Sequence, residues 1–382
     1  MKKNNHNLII IISIFVILSC ILFYAGQFLF YTENKESVST KTTDITKTEG
    51  LQPAPIEYRN ITATINGKKQ EIFLIEFDPL DNRVEFKPVL SYDNVFGFEN
   101  ISEICKRTGA YAAINAGFFY ENGDPVGMVA IGGNLIMNAT GSDPVLLIDK
   151  KGARFEKLFT QLSFSVNGEK NYINKLNRNG LDGNIVLYTN VYGSTNRAQI
   201  KNTSVRVENG TVTSIIRDTL LEVPIKKDSS LLSFFGKSSM LPDKLGIKVG
   251  DKINIEMEPE INGSYEAYEC GCMLVENGIS VVPDKYRWIG TLNNRDPRTA
   301  IGIKEDGRVV LIVVDGRQPG YSSGLTGKEL ADYLISIGVK YAAMLDGGAT
   351  SQMFVGGELK NKPSYRGIER PVAGAFIVKV KN

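Results

Sequence analysis

The chain has 382 residues, with 44 Lys+Arg against 42 Asp+Glu and a single histidine, His6. Lys2, Lys3 and His6 all precede Glu33, the first acidic residue, so from residue 32 onward the charges balance and histidine is absent. This excludes a Ser-His-Asp or Cys-His catalytic pair and a His-liganded zinc site from the body of the protein. A neutral body without a basic run also argues against nucleic acid as a partner.

The first element is an uncharged stretch from Leu8 to Tyr31. As a helix it would reach about 36 Å, enough to cross a hydrocarbon core of roughly 30 Å. Lys2 and Lys3 in front of it place the N-terminus in the cytoplasm by the positive-inside rule. The expectation is an uncleaved anchor over residues 1–31, single-pass in the cell membrane, with the remainder extracytoplasmic. A cleaved signal peptide and lipidation at Cys20 are the alternatives; Phe23-Tyr24-Ala25 supplies no small-x-small site, and apolar residues continue past Cys20. Residues 32–56, rich in Ser, Thr and Lys, lack the apolar surface to offset ordering entropy and read as a flexible linker. Residues 57–382 are left for the main domain.

That domain opens with Ile61 to Ile65, the hairpin signal Asn66-Gly67, and Gln70 to Phe77. Val84 to Val89 continues as strand, Ile101 to Arg107 reads as a short helix, and Tyr111 to Asn115 as a strand entering a turn through Gly117. Residues 153–260 form a β-rich insertion, with Ile185–Thr189, Ser204–Glu208 and Lys252–Glu256 as its clearest strands. Outside the first segment only Cys105, Cys270 and Cys272 remain, an odd number that builds no disulfide framework. Cys270-Gly271-Cys272 reads as small buried residues around a glycine in preference to a metal pair.

Arg308 to Val314 is an unbroken apolar run after its first residue, the mark of a strand buried on both faces, and it ends in Asp315-Gly316. Thr326-Gly-Lys-Glu329 is a capping box, followed by Leu330, Tyr333, Leu334 and Ile337 at helical spacing and by Gly338 as a stop. Val339 to Leu345 is a second buried strand and also ends in Asp-Gly, at Asp346-Gly347. If the two strands are parallel, a crossover brings both aspartates to one edge of the sheet, where open α/β sheets hold ligands. The Met353–Val355 and Glu358–Leu359 segments form a hairpin around Gly356-Gly357. The expected fold is α+β: mixed β-sheets with a βαβ-like C-terminal unit and a β-rich middle insertion, preceded by one N-terminal transmembrane helix.

Asn115-Ala-Gly-Phe-Phe119, Arg298-Thr-Ala-Ile-Gly302, Asp315-Gly-Arg317, Leu345-Asp-Gly-Gly348 and Glu369-Arg-Pro-Val372 occur in this order. In that set the chain resembles the phosphodiester glycosidase family over roughly residues 100 to 380. The resemblance implies a hydrolase that cleaves a sugar-1-phosphodiester at the anomeric carbon and releases sugar and a phosphomonoester. It departs from the family pattern at Ala116, at Ala349-Thr-Ser-Gln352, at Pro363-Ser-Tyr365 and at Cys270-Gly-Cys272.

The residue types suit that chemistry. A phosphomonoester leaving group has a second pKa of about 6 and needs less protonation than an alkoxide. It needs forked cationic donors instead, for which Arg298, Arg370 and Arg317 are the candidates. The sugar's oxocarbenium character calls for a carboxylate: Asp346 first, Asp315 second, with Glu369 as an accessory acid/base or arginine-orienting group. Asn115 is assigned to sugar hydroxyls or an acetamide, Gly117, Gly347 and Gly348 to close backbone approach, and Ser351 to phosphate. Arg298 has a second reading, a structural pair with Asp296. The implied ligand is a sugar-1-phosphodiester or phosphate-containing glycan, in an envelope polymer or exopolysaccharide. Two readings compete: a non-catalytic phosphoglycan-binding surface protein, and a phosphodiesterase cleaving P–O with Asp315 and Asp346 holding Ca²⁺ or Mg²⁺.

Overall fold

A computed structural model describes residues 54–258 and 265–381. The Leu8–Tyr31 segment and the linker up to residue 53 lie outside the described residues; among those described, no helix is long and apolar enough to cross a membrane.

Strands β1 (Ile56–Ile65) and β2 (Lys68–Phe77) pair antiparallel around Asn66-Gly67. Both turn residues have positive φ, 50° and 68°, as a two-residue type I′ hairpin demands. Then come β3 (Val84–Leu90), α1 (Ile101–Thr108) and β4 (Ala112–Asn115). The C-terminal part supplies β5 (Met273–Glu276), β6 (Ile279–Ser280), β7 (Arg298–Lys304) and β8 (Val309–Val314). It ends with α2 (Gly327–Ser336), β9 (Val339–Met344), β10 (Met353–Val355), β11 (Glu358–Leu359) and β12 (Gly374–Val380). Both sides of the capping box form: Thr326 Oγ1 accepts from the Glu329 amide, and Glu329 Oε2 accepts from the Thr326 amide. Glu329 Oε1 also accepts from Asn66 Nδ2 at 2.7 Å, tying the first hairpin to the helix start.

These strands make a seven-stranded sheet, β1-β2-β8-β7-β9-β5-β6, and a five-stranded sheet, β11-β10-β4-β12-β3. Alternation along β8 shows how they stack. Val309, Leu311 and Val313 share one apolar cluster with Ile114, Phe376 and Val378 of the five-stranded sheet. Val310, Ile312 and Val314 pack with Leu330, Ala331 and Leu334 of α2. Ala113, Ala375 and Ile377, on the far face of the second sheet, pack with Ile101, Ile104 and Cys105 of α1. The order of layers is therefore α2, large sheet, small sheet, α1, and a strand covered on both faces has no polar side to show.

The strand-rich α+β expectation agrees with this; mixed pairing is found in the middle region, where Lys175–Leu176 runs parallel to Ile185–Tyr188, but not in the two main sheets. Every strand pairing in the two main sheets is antiparallel. Strands β8 and β9 are parallel to one another only because each pairs with β7 between them. The crossover through α2 spans two strand spacings, and β7, already joined to β8 by a hairpin, fills the gap. Both Asp-Gly corners still reach one edge, beside the first residue of β7, Arg298.

Within residues 153–260, Gln161–Val166 pairs with Glu169–Ile173 and with Asn254–Glu258. A five-stranded sheet runs Lys175–Leu176, Ile185–Tyr188, Ser230–Phe235, Asn202–Glu208, Thr211–Thr219. The two share an apolar cluster around Phe164, Leu187, Val205 and Phe234. Cys105, Cys270 and Cys272 are free and buried. A Cβ at Gly271 would lie 2.8 Å from the Phe118 ring and 2.9 Å from the Met344 carbonyl oxygen, so this glycine is a packing requirement.

One buried amide joins the two sheets where their edges meet. Asn115, at the end of β4, is 1% exposed. Its Nδ2 donates to the Asp346 carbonyl at 2.7 Å and the Ala116 carbonyl at 3.1 Å. Its Oδ1 accepts from Thr299 Oγ1 at 2.9 Å and the Gln352 amide at 3.2 Å. The Asp346 amide adds a bond to the Ala116 carbonyl. Asn115→Ala leaves a buried carbonyl and a buried amide N–H unpaired, at about 1–3 kcal/mol each. Thr326→Ala loses one cap bond worth about 1 kcal/mol. In urea unfolding of the two variants, the midpoint for Asn115→Ala should fall at least twice as far as that for Thr326→Ala; equal shifts would contradict the bracing role.

Candidate active site

The brace fixes Asp346, the first residue beyond Leu345 at the end of β9. The residue is half-buried, and burial of its carboxyl pushes the pKa up to about 6. Three effects oppose burial: Thr350 Oγ1 donates to Oδ2 at 2.8 Å, the Gly347 amide donates to the carboxylate, and the Arg370 charge favours ionisation. The short 3-10 turn Gly348–Thr350 carries Thr350 back over the carboxyl. Arg370 is held through its backbone: its amide donates to Gln352 Oε1 and its carbonyl accepts from Gln352 Nε2. No hydrogen bond or ion pair engages its guanidinium among the described residues.

The other arginines are arranged around Asp296. Arg317, at φ 58°, donates from Nε to Asp296 Oδ1 at 2.8 Å and keeps its side chain half exposed. A Cβ at Gly348, itself at φ 66°, would come within 3.3 Å of the Arg317 guanidinium, so the guanidinium lies against that glycine. Arg298 is 3% exposed; its Nε donates to the Leu325 carbonyl and Nη2 to the Asn294 carbonyl. Its approach to Asp296, 3.9 Å, is looser than that of Arg317. Burial lowers the Arg298 pKa, and the Asp296 charge opposes that.

Several candidates are instead committed to the fold. Asp315 is 1% exposed, and its carboxylate accepts from Asn361 Nδ2, the Lys362 amide and the Tyr321 hydroxyl. Burial pushes its pKa up to about 6 against those three donors. With its oxygens so occupied it anchors the 361–362 loop. Glu369 accepts from both the amide and the hydroxyl of Ser102, fastening the first turn of α1. Ser351 is fully buried with its hydroxyl unpartnered. Asn115 is spent on the brace. Gly117 and Gly347 make room for protein: a Cβ would lie 3.0 Å from the Tyr268 ring and 3.0 Å from the Pro297 carbonyl, respectively. Among the described residues no group of three or more His, Cys, Asp or Glu could hold a metal ion.

Thr350 and Gln352 carry positioning roles that motif reading missed, and Asp296, named there for Arg298, pairs more closely with Arg317. Their signal was adjacency: each lies within four residues of a motif member. A second polar group was invisible to it. Glu269, 4% exposed, accepts from Thr140 Oγ1 at 2.6 Å and the Met128 amide at 2.9 Å, and follows Tyr268. Asp143 binds the Tyr286 hydroxyl and the Arg287 guanidinium.

Comparison with known proteins gives this geometry a setting. Residues 201–379 match the phosphodiester glycosidase family, a span that includes Arg298, Asp315, Arg317, Asp346 and Arg370 but not Asn115. An uncharacterized SPbeta prophage-derived protein of Bacillus subtilis is 35% identical over 128 residues, 33% of this chain and only 19% of that protein's length. A hypothetical protein from Synechocystis superposes with TM-score 0.74 at 22% identity, over 91% of this chain and 64% of its own. A Burkholderia pseudomallei protein does so with TM-score 0.70 at 21% identity, over 83% and 75%. These two establish a shared fold. The chain carries, at residues 201–379, a domain of the phosphodiester glycosidase family.

Proposed function

We propose that the protein hydrolyses a sugar-1-phosphodiester at the anomeric carbon, outside the cell, on a phosphate-containing envelope polymer or exopolysaccharide and tethered by the Leu8–Tyr31 segment. The observation that carries the reading is the pairing of Asp346 with Arg370: a carboxyl whose pKa burial pushes up to about 6, within electrostatic reach of a guanidinium that has no hydrogen-bond or ion-pair partner among the described residues. Arg317, half exposed against Gly348, supplies a second cation on the same rim.

In this reaction water adds to the anomeric carbon as the C–O bond breaks, and the bonding pair leaves with the phosphate oxygen. Asp346, ionised, stabilises the oxocarbenium character of the sugar or takes the proton of the attacking water. Thr350 fixes the orientation of the carboxylate. Arg370 and Arg317 take up the charge that accumulates on the departing phosphomonoester. Cleavage of P–O has less support, because Asp315, the second carboxylate it would use for a metal, is saturated by protein donors.

Hydrolysis of synthetic sugar-1-phosphodiesters in ¹⁸O-water should place the label on the sugar; label on the phosphate would overturn the reading. Asp346→Asn should lower kcat/KM by at least about 100-fold while the fold is kept. Because Asp346 acts as the anion, kcat/KM should rise with pH through about 6. A bound phosphate neutralises Arg370 and removes one of the effects that hold this pKa down. The acidic limb of kcat should therefore lie at higher pH than that of kcat/KM; coincident limbs would separate Arg370 from the substrate phosphate.

A further inference from the structure

A cleft of about 720 Å³, lined among others by Tyr120, Asp124, Asn138, Phe159, Lys175 and Arg178, shares no residue with the Asp346–Arg370 group. Two cations face it. Arg178 is fixed by hydrogen bonds to the carbonyls of Pro125 and Gly127 and has no ion-pair partner among the described residues. Among the described residues Lys175 Nζ bonds only the Asn179 carbonyl, at 3.0 Å. Burial and the neighbouring Arg178 charge both lower the Lys175 pKa. Two like charges are thus held together and partly desolvated, an arrangement that a bound anion relieves. Burial lowers the Arg178 pKa, and the charges of Asp124 and Glu269 only oppose that from a distance, no ion pair with Arg178 forming among the described residues.

Three asparagines point the same way. Asn138 Oδ1 accepts from the Leu176 amide, Asn174 Oδ1 from the Ile185 amide, and Asn179 Oδ1 from the Tyr192 hydroxyl. Backbone N–H donors engage the oxygens of the first two amides, and their NH₂ groups have no hydrogen-bond partner among the described residues. The lining is therefore rich in donors. Tyr120 and Phe159, 44% and 61% exposed, add aromatic faces of the kind on which sugar rings stack, and Tyr120 is braced edge-on by Trp288.

We propose that this cleft is a binding site for a sugar residue bearing a negative charge, phosphate or carboxylate, with Lys175 and Arg178 as its cationic contacts and the asparagine amides as donors to hydroxyls. The assignment does not rest on the reading of Asp346. It is tested in the full-length Arg370→Gln protein, which lacks the guanidinium placed beside Asp346, by calorimetric titration with glucose 1-phosphate, glucuronic acid and glucose at low salt. Glucose 1-phosphate or glucuronic acid should bind at least tenfold more tightly than glucose, and Lys175→Gln or Arg178→Gln should each remove that advantage. Preference for glucose 1-phosphate identifies phosphate as the charge read, and equal binding of glucuronic acid identifies charge alone. Glucose binding as tightly as the acids, or acid binding unchanged by both substitutions, would overturn the assignment. Arg178 supports two backbone carbonyls; should its variant fail to fold, Lys175→Gln decides the matter.

Discussion

The architecture depends on satisfying one buried amide. Where the edges of two antiparallel sheets meet, the chain just beyond β4 and β9 and just before β10 brings backbone groups that sheet pairing leaves over, and the start of β7 brings the Thr299 hydroxyl. Such groups cannot be left unpaired away from water. An asparagine side chain offers a donor and an acceptor on one rigid plane, and Asn115 uses both, reaching Asp346, Thr299 and Gln352 from a single position. Gln352 in turn holds the backbone of Arg370. The carboxyl and the cation of the candidate site are therefore aligned through one contiguous network, not by separate loops.

The two Asp-Gly corners show why geometry must be read before acidity. Burial pushes both Asp315 and Asp346 up to about 6. Asp315 meets three protein donors and has closed its valences on a loop; Asp346 meets a hydroxyl, one amide and the field of an unpaired arginine. An equal shift thus marks a structural anchor in one case and an available group in the other. The arginines divide the same way: Arg298 is sunk onto backbone carbonyls, whereas the Arg317 side chain is half exposed and the Arg370 guanidinium has no hydrogen-bond or ion-pair partner among the described residues.

What the sequence revealed follows the range of the interactions involved. The Asn66-Gly67 hairpin, the Thr326–Glu329 capping box and the doubly buried strand Val309–Val314 depend on neighbours a few residues away, and all were legible. Sheet order was not, since neither period nor length says that β7 lies between β8 and β9. The motif residues were found as positions, but their roles were scattered by contacts 200 or more residues distant, as with Asn115 to Asp346 and Glu369 to Ser102. Lys175 and Arg178 escaped notice because cations that bond backbone carbonyls, with no ion-pair partner among the described residues, leave no pattern in the sequence around them.

The missing histidine acquires a physical meaning here. A group that changes charge near neutrality is ordinarily an imidazole, with an unperturbed pKa near 6.5. This chain reaches nearly the same value from the other direction, by lifting a carboxyl through burial and stopping the rise with a hydroxyl, an amide and an arginine. Such a group is anionic when it loses its proton and neutral when it holds one, the reverse of the charges of histidine. Beside a phosphate that reversal has a consequence: the deprotonated form repels the leaving group it helps to expel, and the cations on the rim must separate the two. Unpaired arginine next to a half-buried aspartate is thus a single device, in which removing either half changes what the other can do.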